Sequence, residues 1–159
     1  MAKILVAYYS RSGNTAQMAE IVGRAAASVE GAEVSVQSVE ALAAADLLEY
    51  DAIILGSPVY YGLPAAEVKK LIDDSVEFHG RLAGKVGGAF ASSGGLAGGN
   101  ETTVLALLQM LLVHGMIVKG EHSGDHYGPV AVGAPDARSA GECEKMGRSV
   151  AALAVRLFG

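Results

Sequence analysis

Five short apolar runs alternate along the chain with segments whose apolar residues recur at helical spacing. The runs that predict strands are Lys3–Tyr9, Glu33–Ser38, Ala52–Gly56, Val86–Ala91 and Met116–Val118. The third and fourth runs are apolar almost without interruption, which is typical of strands that are covered on both faces. The alternation predicts an α/β fold, with a parallel sheet and right-handed crossover connections.

The segments between the runs predict helices, in the order βαβαβαβαβα. The first helix ends at Gly31, the second begins near Pro64, and the last carries an apolar face that includes Cys143. The segment Thr102–Leu112 is apolar almost all round. We therefore expect this helix to lie between the sheet and another surface, which indicates a subunit interface.

Length and charge restrict the possible functions. The 159 residues predict one domain, residues 1–159, and the net charge of −5 with scattered basic residues argues against nucleic-acid binding. No stretch is long and apolar enough to predict a membrane span or a signal peptide. The single cysteine, Cys143, excludes an internal disulfide, and the histidines do not have metal-ligand spacing. These features predict a cytoplasmic protein without a metal site.

The most informative segment follows the first predicted strand and opens the first predicted helix. It consists of Ser10, Arg11, Ser12, Gly13, Asn14 and Thr15. A loop of hydroxyl, amide and glycine residues at a helix N-terminus binds anions, because free N–H groups converge there and the helix dipole favours negative charge. The loop lacks the lysine of a nucleotide-hydrolysing P-loop. It therefore predicts a site for one terminal phosphate, with Arg11 contributing at least its N–H group.

Two further loops follow the third and fourth predicted strands, and the carboxyl ends of parallel strands share one edge of the sheet. The second loop supplies Pro58, Val59, Tyr60, Tyr61 and Gly62, and the third supplies Ser92, Ser93, Gly94, Gly95, Leu96 and Gly98. Either Tyr60 or Tyr61 can cover a planar ring, and the glycines expose backbone amides. Together the three loops predict a pocket for an aromatic group with a phosphate tail.

These stretches resemble the flavodoxin-like FMN proteins, and most closely the WrbA-type NAD(P)H:quinone oxidoreductases. The similarity covers Met1–Ala19, Tyr50–Asp73, Gly84–Gly120 and Tyr127–Pro135. It implies a doubly wound five-stranded parallel sheet of order 2-1-3-4-5, with helices on both faces. It also implies FMN as cofactor, with its phosphate in the first loop and its ring between the second and third loops. The Val-His-Gly-Met segment implies that His114 lies beside the flavin.

The resemblance further implies two-electron transfer from NAD(P)H to a quinone through flavin N5, with donor and acceptor using the same place in turn. Such chemistry belongs to the cofactor and requires no catalytic side chain. It also implies a homodimer or homotetramer. The alternative is a flavodoxin-type carrier that shuttles electrons between redox proteins. Carriers dock through a strongly acidic face, and acidic residues do not cluster around the three loops in the sequence, which favours the enzyme.

A long polar segment, Glu121–Pro135, follows the last predicted strand. Loops of this length in compact domains often cover a site. We therefore expect it to be either a surface connection only or a loop that helps to close the pocket, of the same or of a neighbouring subunit.

Overall fold

A computed structural model describes residues 1–159 and contains seven strands. They are β1 (Ala2–Tyr8), β2 (Ala32–Ser38), β3 (Ala52–Tyr60), β4 (Leu63–Pro64), β5 (Val86–Ser93), β6 (Ile117–Val118) and β7 (Val130–Val132). Four α-helices connect or follow them: α1 (Asn14–Ala27), α2 (Ala66–Asp74), α3 (Asn100–Val113) and α4 (Ala137–Phe158). No helix is both long and apolar enough to cross a membrane.

The main path of the sheet runs β2-β1-β3-β5-β6, and all of its pairings are parallel. This confirms the predicted order 2-1-3-4-5. The fifth position, however, is shared by two short strands. β6 pairs with the beginning of β5 at Val86 and Gly87, whereas β7 pairs with its end at Ala91–Ser93.

Alternation along the central strands separates two hydrophobic layers. On β1, Ile4 and Val6 face a layer completed by α1 and α4, whereas Leu5 and Ala7 face a layer completed by α2 and α3. All four side chains are fully buried. The sheet is therefore covered on both faces, as the nearly continuous apolar runs predicted.

The connection between β2 and β3 differs from the prediction. Instead of an α-helix it contains two 3₁₀ segments, Val39–Ala41 and Ala44–Glu49. Only Val39 and Leu47 of these segments are buried. The connection therefore forms no continuous helix, and it covers its side of the sheet with a few apolar side chains.

The segment Glu121–Pro135, predicted as a loop, contains β7. Residues 119–129, which we call the insertion, separate β6 from β7. A three-residue strand with only two valines gives too short an apolar pattern to be identified in the sequence. It forms because the end of β5 offers it a parallel partner.

Candidate functional site

The first loop leaves backbone donors free at the start of α1. Gly13 has φ of 98° and precedes α1 without a side-chain cap. Its N–H donates to Ser10 Oγ over 3.1 Å, and the first helical bond runs from Gln17 N–H to Gly13 C=O. The N–H groups of residues 14–16 therefore have no helical partner. No carboxylate lies in the segment, so its free donors suit a phosphate.

The second loop is the end of a hairpin. β3 extends four residues beyond its predicted end and pairs with β4 in antiparallel fashion. The turn residues Tyr61 and Gly62 have φ of 50° and 78°, as expected when both central positions of a two-residue hairpin turn have positive φ. The Tyr61 side chain is fully exposed, whereas the ring of Tyr60 meets that of Tyr9 edge-on, with centroids 6.4 Å apart.

The third loop leads from β5 into α3, and most of it is open to solvent. Ser92 and Ser93 are buried at its start, and Leu96 is 92% exposed near its middle. Gly99, with φ of 109°, precedes α3 without a side-chain cap. This loop therefore also ends at a helix N-terminus whose amide groups are not capped by a side chain.

Two hydrogen bonds join the three loops. Thr15 Oγ1 and Ser92 Oγ lie 2.8 Å apart in a buried contact, which connects the first loop to the third. Thr102 Oγ1 shares its proton between the carbonyls of Gly62 at 3.0 Å and Gly99 at 2.9 Å, which connects α3 to the second loop. The structure thus brings the predicted loops together at one edge of the sheet.

Two residues of this arrangement were not among the predicted site residues. Thr102 makes the contact with the second loop, and Asn100 Nδ2 donates both to Ser93 Oγ at 2.9 Å and to the carbonyl of Ala131 at 3.3 Å. Both belong to the Gly-Gly-Asn-Glu-Thr-Thr segment that opens α3. Their position beside the glycine loop was a usable signal, but their partners are distant in sequence.

His114 lies elsewhere. It follows the last residue of α3, a helix of 14 residues whose first turn adjoins the third loop. At 1.5 Å per residue, the helix separates His114 from that loop by about 20 Å. Within one chain, the structure therefore does not bring His114 together with the three loops, and its place beside the flavin stays a prediction. The C-terminal end of a crossover helix reaches the opposite edge of the sheet from its beginning.

The surroundings of His114 define its protonation. Ser75 Oγ donates to the carbonyl of Ile72, so the 2.8 Å contact between Ser75 Oγ and His114 Nε2 requires a proton on Nε2. Nδ1 is then a buried acceptor without a partner. Burial lowers the pKa of His114, and the neighbouring His79 lowers it further. The ring is therefore neutral at pH 7, with a free lone pair.

Carboxylates lie closer to the site than the sequence indicated. A groove of about 640 Å³ beside the third loop is lined by Glu101, Asp125 and Asp136 together with Arg138. The expectation that acidic residues do not cluster around the loops is therefore wrong for this side of the site. The insertion and the start of α4 bring these carboxylates together from distant parts of the chain.

Comparison with known proteins agrees with this architecture. Residues 5–110 match the family model described as a flavodoxin domain. A protein named flavodoxin from Aquifex aeolicus is 39% identical, over 95% of this chain and 86% of the relative. An NAD(P)H dehydrogenase (quinone) from Archaeoglobus fulgidus is 33% identical, over 99% of this chain and all of the relative.

Among solved structures, a WrbA-like flavodoxin from Agrobacterium tumefaciens superimposes with a TM-score of 0.82 at 27% identity. The alignment covers 98% of this chain and 99% of that one. The family match covers most of the chain, and both relatives exceed 30% identity over most of their length. The chain therefore belongs to the flavodoxin family and is of the WrbA type.

Proposed function

We propose that this protein is an FMN-dependent oxidoreductase that transfers two electrons from NAD(P)H to a quinone. The observation that carries the proposal is the junction of the three loops at one sheet edge. It occurs in a chain that is 33% identical along its whole length to a protein named NAD(P)H dehydrogenase (quinone). Membership of the flavodoxin family supports flavin binding.

The residues present fit FMN. The free N–H groups that follow Gly13 suit its phosphate, and no carboxylate in the first loop opposes that charge. The exposed tyrosines of the second loop offer aromatic faces for the ring. In the third loop, a Cβ added at Gly94 or Gly95 would meet no atom within 4 Å, so the backbone there is open to a ligand.

FMN, when bound, supplies the two-electron chemistry between the nicotinamide and the quinone. The chain's own residues would bind and orient it. Amides of the third loop would stabilise negative charge on the reduced ring, and one of Tyr60 and Tyr61 would pack against one face. The opposite face would stay open for donor and acceptor in turn. No side chain is assigned as catalytic acid or base.

We further propose a homodimer or homotetramer in which a second chain approaches each flavin. On α3, Leu105, Leu112 and Val113 are 43%, 57% and 69% exposed, an unusually apolar surface for a helix face in contact with water. His114, with its free Nδ1, lies at the same end of α3 as Leu112 and Val113. Packing through this face would bring the C-terminal end of α3, where His114 lies buried, close to the flavin of a neighbouring subunit.

A cytoplasmic location completes the proposal. The only cysteine, Cys143, is buried and unpaired, so the fold does not depend on a disulfide. Such a chain is compatible with a reducing compartment.

The test is an anaerobic visible spectrum of the FMN-loaded protein after addition of NADH or NADPH, followed by benzoquinone. We expect a nicotinamide to bleach the flavin within seconds and the quinone to restore its colour. A flavin that binds but remains oxidised with both nicotinamides would contradict the enzyme. Failure to bind FMN would contradict the assignment of the three loops.

A second candidate is an electron carrier between redox proteins. The relative from Aquifex aeolicus is named flavodoxin. The groove lined by Glu101, Asp125 and Asp136 also gives the third loop an acidic border, which suits docking to a basic partner. The same spectra separate the two candidates, because a carrier would stay oxidised with NAD(P)H and become reduced only with a protein reductase.

A further inference from the structure

The insertion is held against α4 by a row of polar side chains. Hydrogen bonds connect each of the following pairs: Arg138 with Asp125, Glu142 with the Asp125 N–H, Lys145 with the Ser123 carbonyl, and Ser149 with Lys119. The α4 members lie at intervals of four, three and four residues, which places them on one face of the helix. One side of α4 is therefore a polar support for the insertion.

Asp125 and Arg138 also complete the outer edge of β7, which has no neighbouring strand on that side. The N–H of Val130 donates to Asp125 Oδ2 over 3.0 Å, and Arg138 Nη2 donates to the Val130 carbonyl over 2.6 Å. Arg138 Nη1 donates to Asp125 Oδ1 over 2.8 Å. We call this closed set the Asp125–Arg138 clamp. It replaces the missing strand with charge-assisted hydrogen bonds, which are stronger than neutral ones.

The inner edge of β7 leads directly to the third loop. Val130–Val132 pair with Ala91–Ser93, the end of β5, whose last two residues begin the third loop. Asn100 Nδ2 then joins the carbonyl of Ala131 to Ser93 Oγ, and Ser93 Oγ donates to the carbonyl of Gly95 within the loop over 2.8 Å. Both ends of the loop are thus fixed to β7, and β7 is fixed by the clamp.

We infer that Asp125 and Arg138 are positioning residues, which set the place of the third loop through β7 and so adjust the binding and the potential of the flavin. This inference rests on the proposed function, in which the third loop contacts the flavin ring. Neither residue belongs to the three loops. The clamp is partly open to water, since the Arg138 side chain is 54% exposed and that of Asp125 is 17% exposed.

The experiment compares Asp125→Asn and Arg138→Gln with the wild-type holoprotein. The matched control is Glu144→Gln, which removes an exposed ion pair between Glu144 and Arg148 on the same helix. The dissociation constant for FMN is measured by fluorescence titration, and the midpoint potential of the bound flavin is measured at saturating FMN. Thermal unfolding of each apoprotein verifies that the variants are folded.

Each clamp variant is expected to bind FMN about tenfold more weakly, which corresponds to the loss of one charge-assisted hydrogen bond. The midpoint potential should become more negative, because displaced amides stabilise the reduced ring less. The double variant should be little worse than either single one, since both residues act in one unit. Arg138→Lys, which keeps the charge but not the two-pronged contact, should recover part of the affinity.

The inference is overturned if wild-type protein binds FMN and the clamp variants match it within twofold, as the control should. It is also overturned if affinity falls while the midpoint potential stays unchanged, because that result indicates a general loss of stability. If the wild-type protein itself does not bind FMN, the proposed function fails, and the inference fails with it.

Discussion

The helices α1 and α4 begin in opposite ways, although both pack on the same face of the sheet. α1 follows Gly13 and has no side-chain cap, so its first amides are free. α4 follows Asp136, whose Oδ1 accepts from the N–H of Ser139 at 2.8 Å, while Ser139 Oγ accepts from the Asp136 N–H at 2.9 Å. The N-terminus of α4 is therefore capped by side chains of the protein, whereas the first N–H groups of α1 have no side-chain partner.

The difference is one of stability against free donors. A capped N-terminus stabilises the helix by about 1 kcal/mol in typical cases. α1 forgoes that contribution at the carboxyl edge of the sheet, where ligands of this fold class bind. α3 follows the same rule, since it begins after Gly99 without a side-chain cap. α2 also lacks a side-chain cap, after Ala65, but only α1 and α3 follow a glycine of positive φ in one of the three loops.

The largest effect on FMN affinity is expected from Ser12→Asp, which places a negative charge at the N-terminus of α1. The new carboxylate would occupy the free amides and repel the FMN phosphate, so we expect FMN affinity to fall about a hundredfold or more. Apoprotein stability should stay constant or rise by up to about 1 kcal/mol, because the helix dipole favours an acid at this end. Fluorescence titration and thermal unfolding measure the two effects.

Ser28→Asp is the matched control, because Ser28 lies at the opposite end of α1. A carboxylate at a helix C-terminus is unfavourable. This variant should lower stability and leave FMN affinity unchanged. If both variants changed FMN affinity equally, the phosphate could not lie at the N-terminus of α1.

An intermediate effect is expected from Gly99→Ala, at the start of α3. The positive φ disfavours alanine, and a Cβ at this position would lie 2.8 Å from the Cα of Gly62. We expect a loss of about 1–3 kcal/mol in the free energy of unfolding. FMN affinity should fall as well, since the second and third loops would be forced apart.

Gly141→Ala provides the comparison within α4, where a Cβ meets no atom within 4 Å. This variant should raise stability by about 0.5–1 kcal/mol, the usual gain for alanine over glycine inside a helix. Urea unfolding of both variants measures the contrast. Equal effects at the two positions would show that Gly99 has no special role.

The smallest effect is the pH dependence that the Asp136 cap of α4 gives to the free energy of unfolding. Hydrogen bonds from the side chain and N–H of Ser139 lower the pKa of Asp136. A lowered pKa means that the stabilisation is complete above the pKa of the unfolded chain, about 3.9, and is lost as pH falls through the folded-state value. Asp136→Asn keeps a capping group but does not titrate.

The wild type should therefore exceed Asp136→Asn in stability above about pH 5, and the gap should close as the pH decreases. Urea unfolding at a series of pH values measures this gap. A difference between the two proteins that did not change with pH would indicate that the carboxylate charge is irrelevant to the cap.

Much of the architecture could be predicted because it is encoded locally. The apolar runs identified the five principal strand positions and their parallel arrangement, and the polar loop at Ser10–Thr15 identified the start of α1. The connection Val39–Tyr50 was predicted less well, because periodicity over so few residues does not distinguish an α-helix from 3₁₀ turns. The end of β3 was also missed, since Pro58 and the tyrosines resemble loop residues until β4 pairs with them.

The sequence by itself determined the fold class, the two-sided burial of the sheet and the polar, carboxylate-free composition of the first loop. These depend on alternation and on residue types that are neighbours in the chain. Only the tertiary structure decided that β7 completes the fifth position, that Asp125 and Arg138 hold it, and that His114 lies at the far edge. The first two depend on contacts between residues that are far apart in sequence. The position of His114 depends on the length of α3, because an α-helix rises about 1.5 Å per residue.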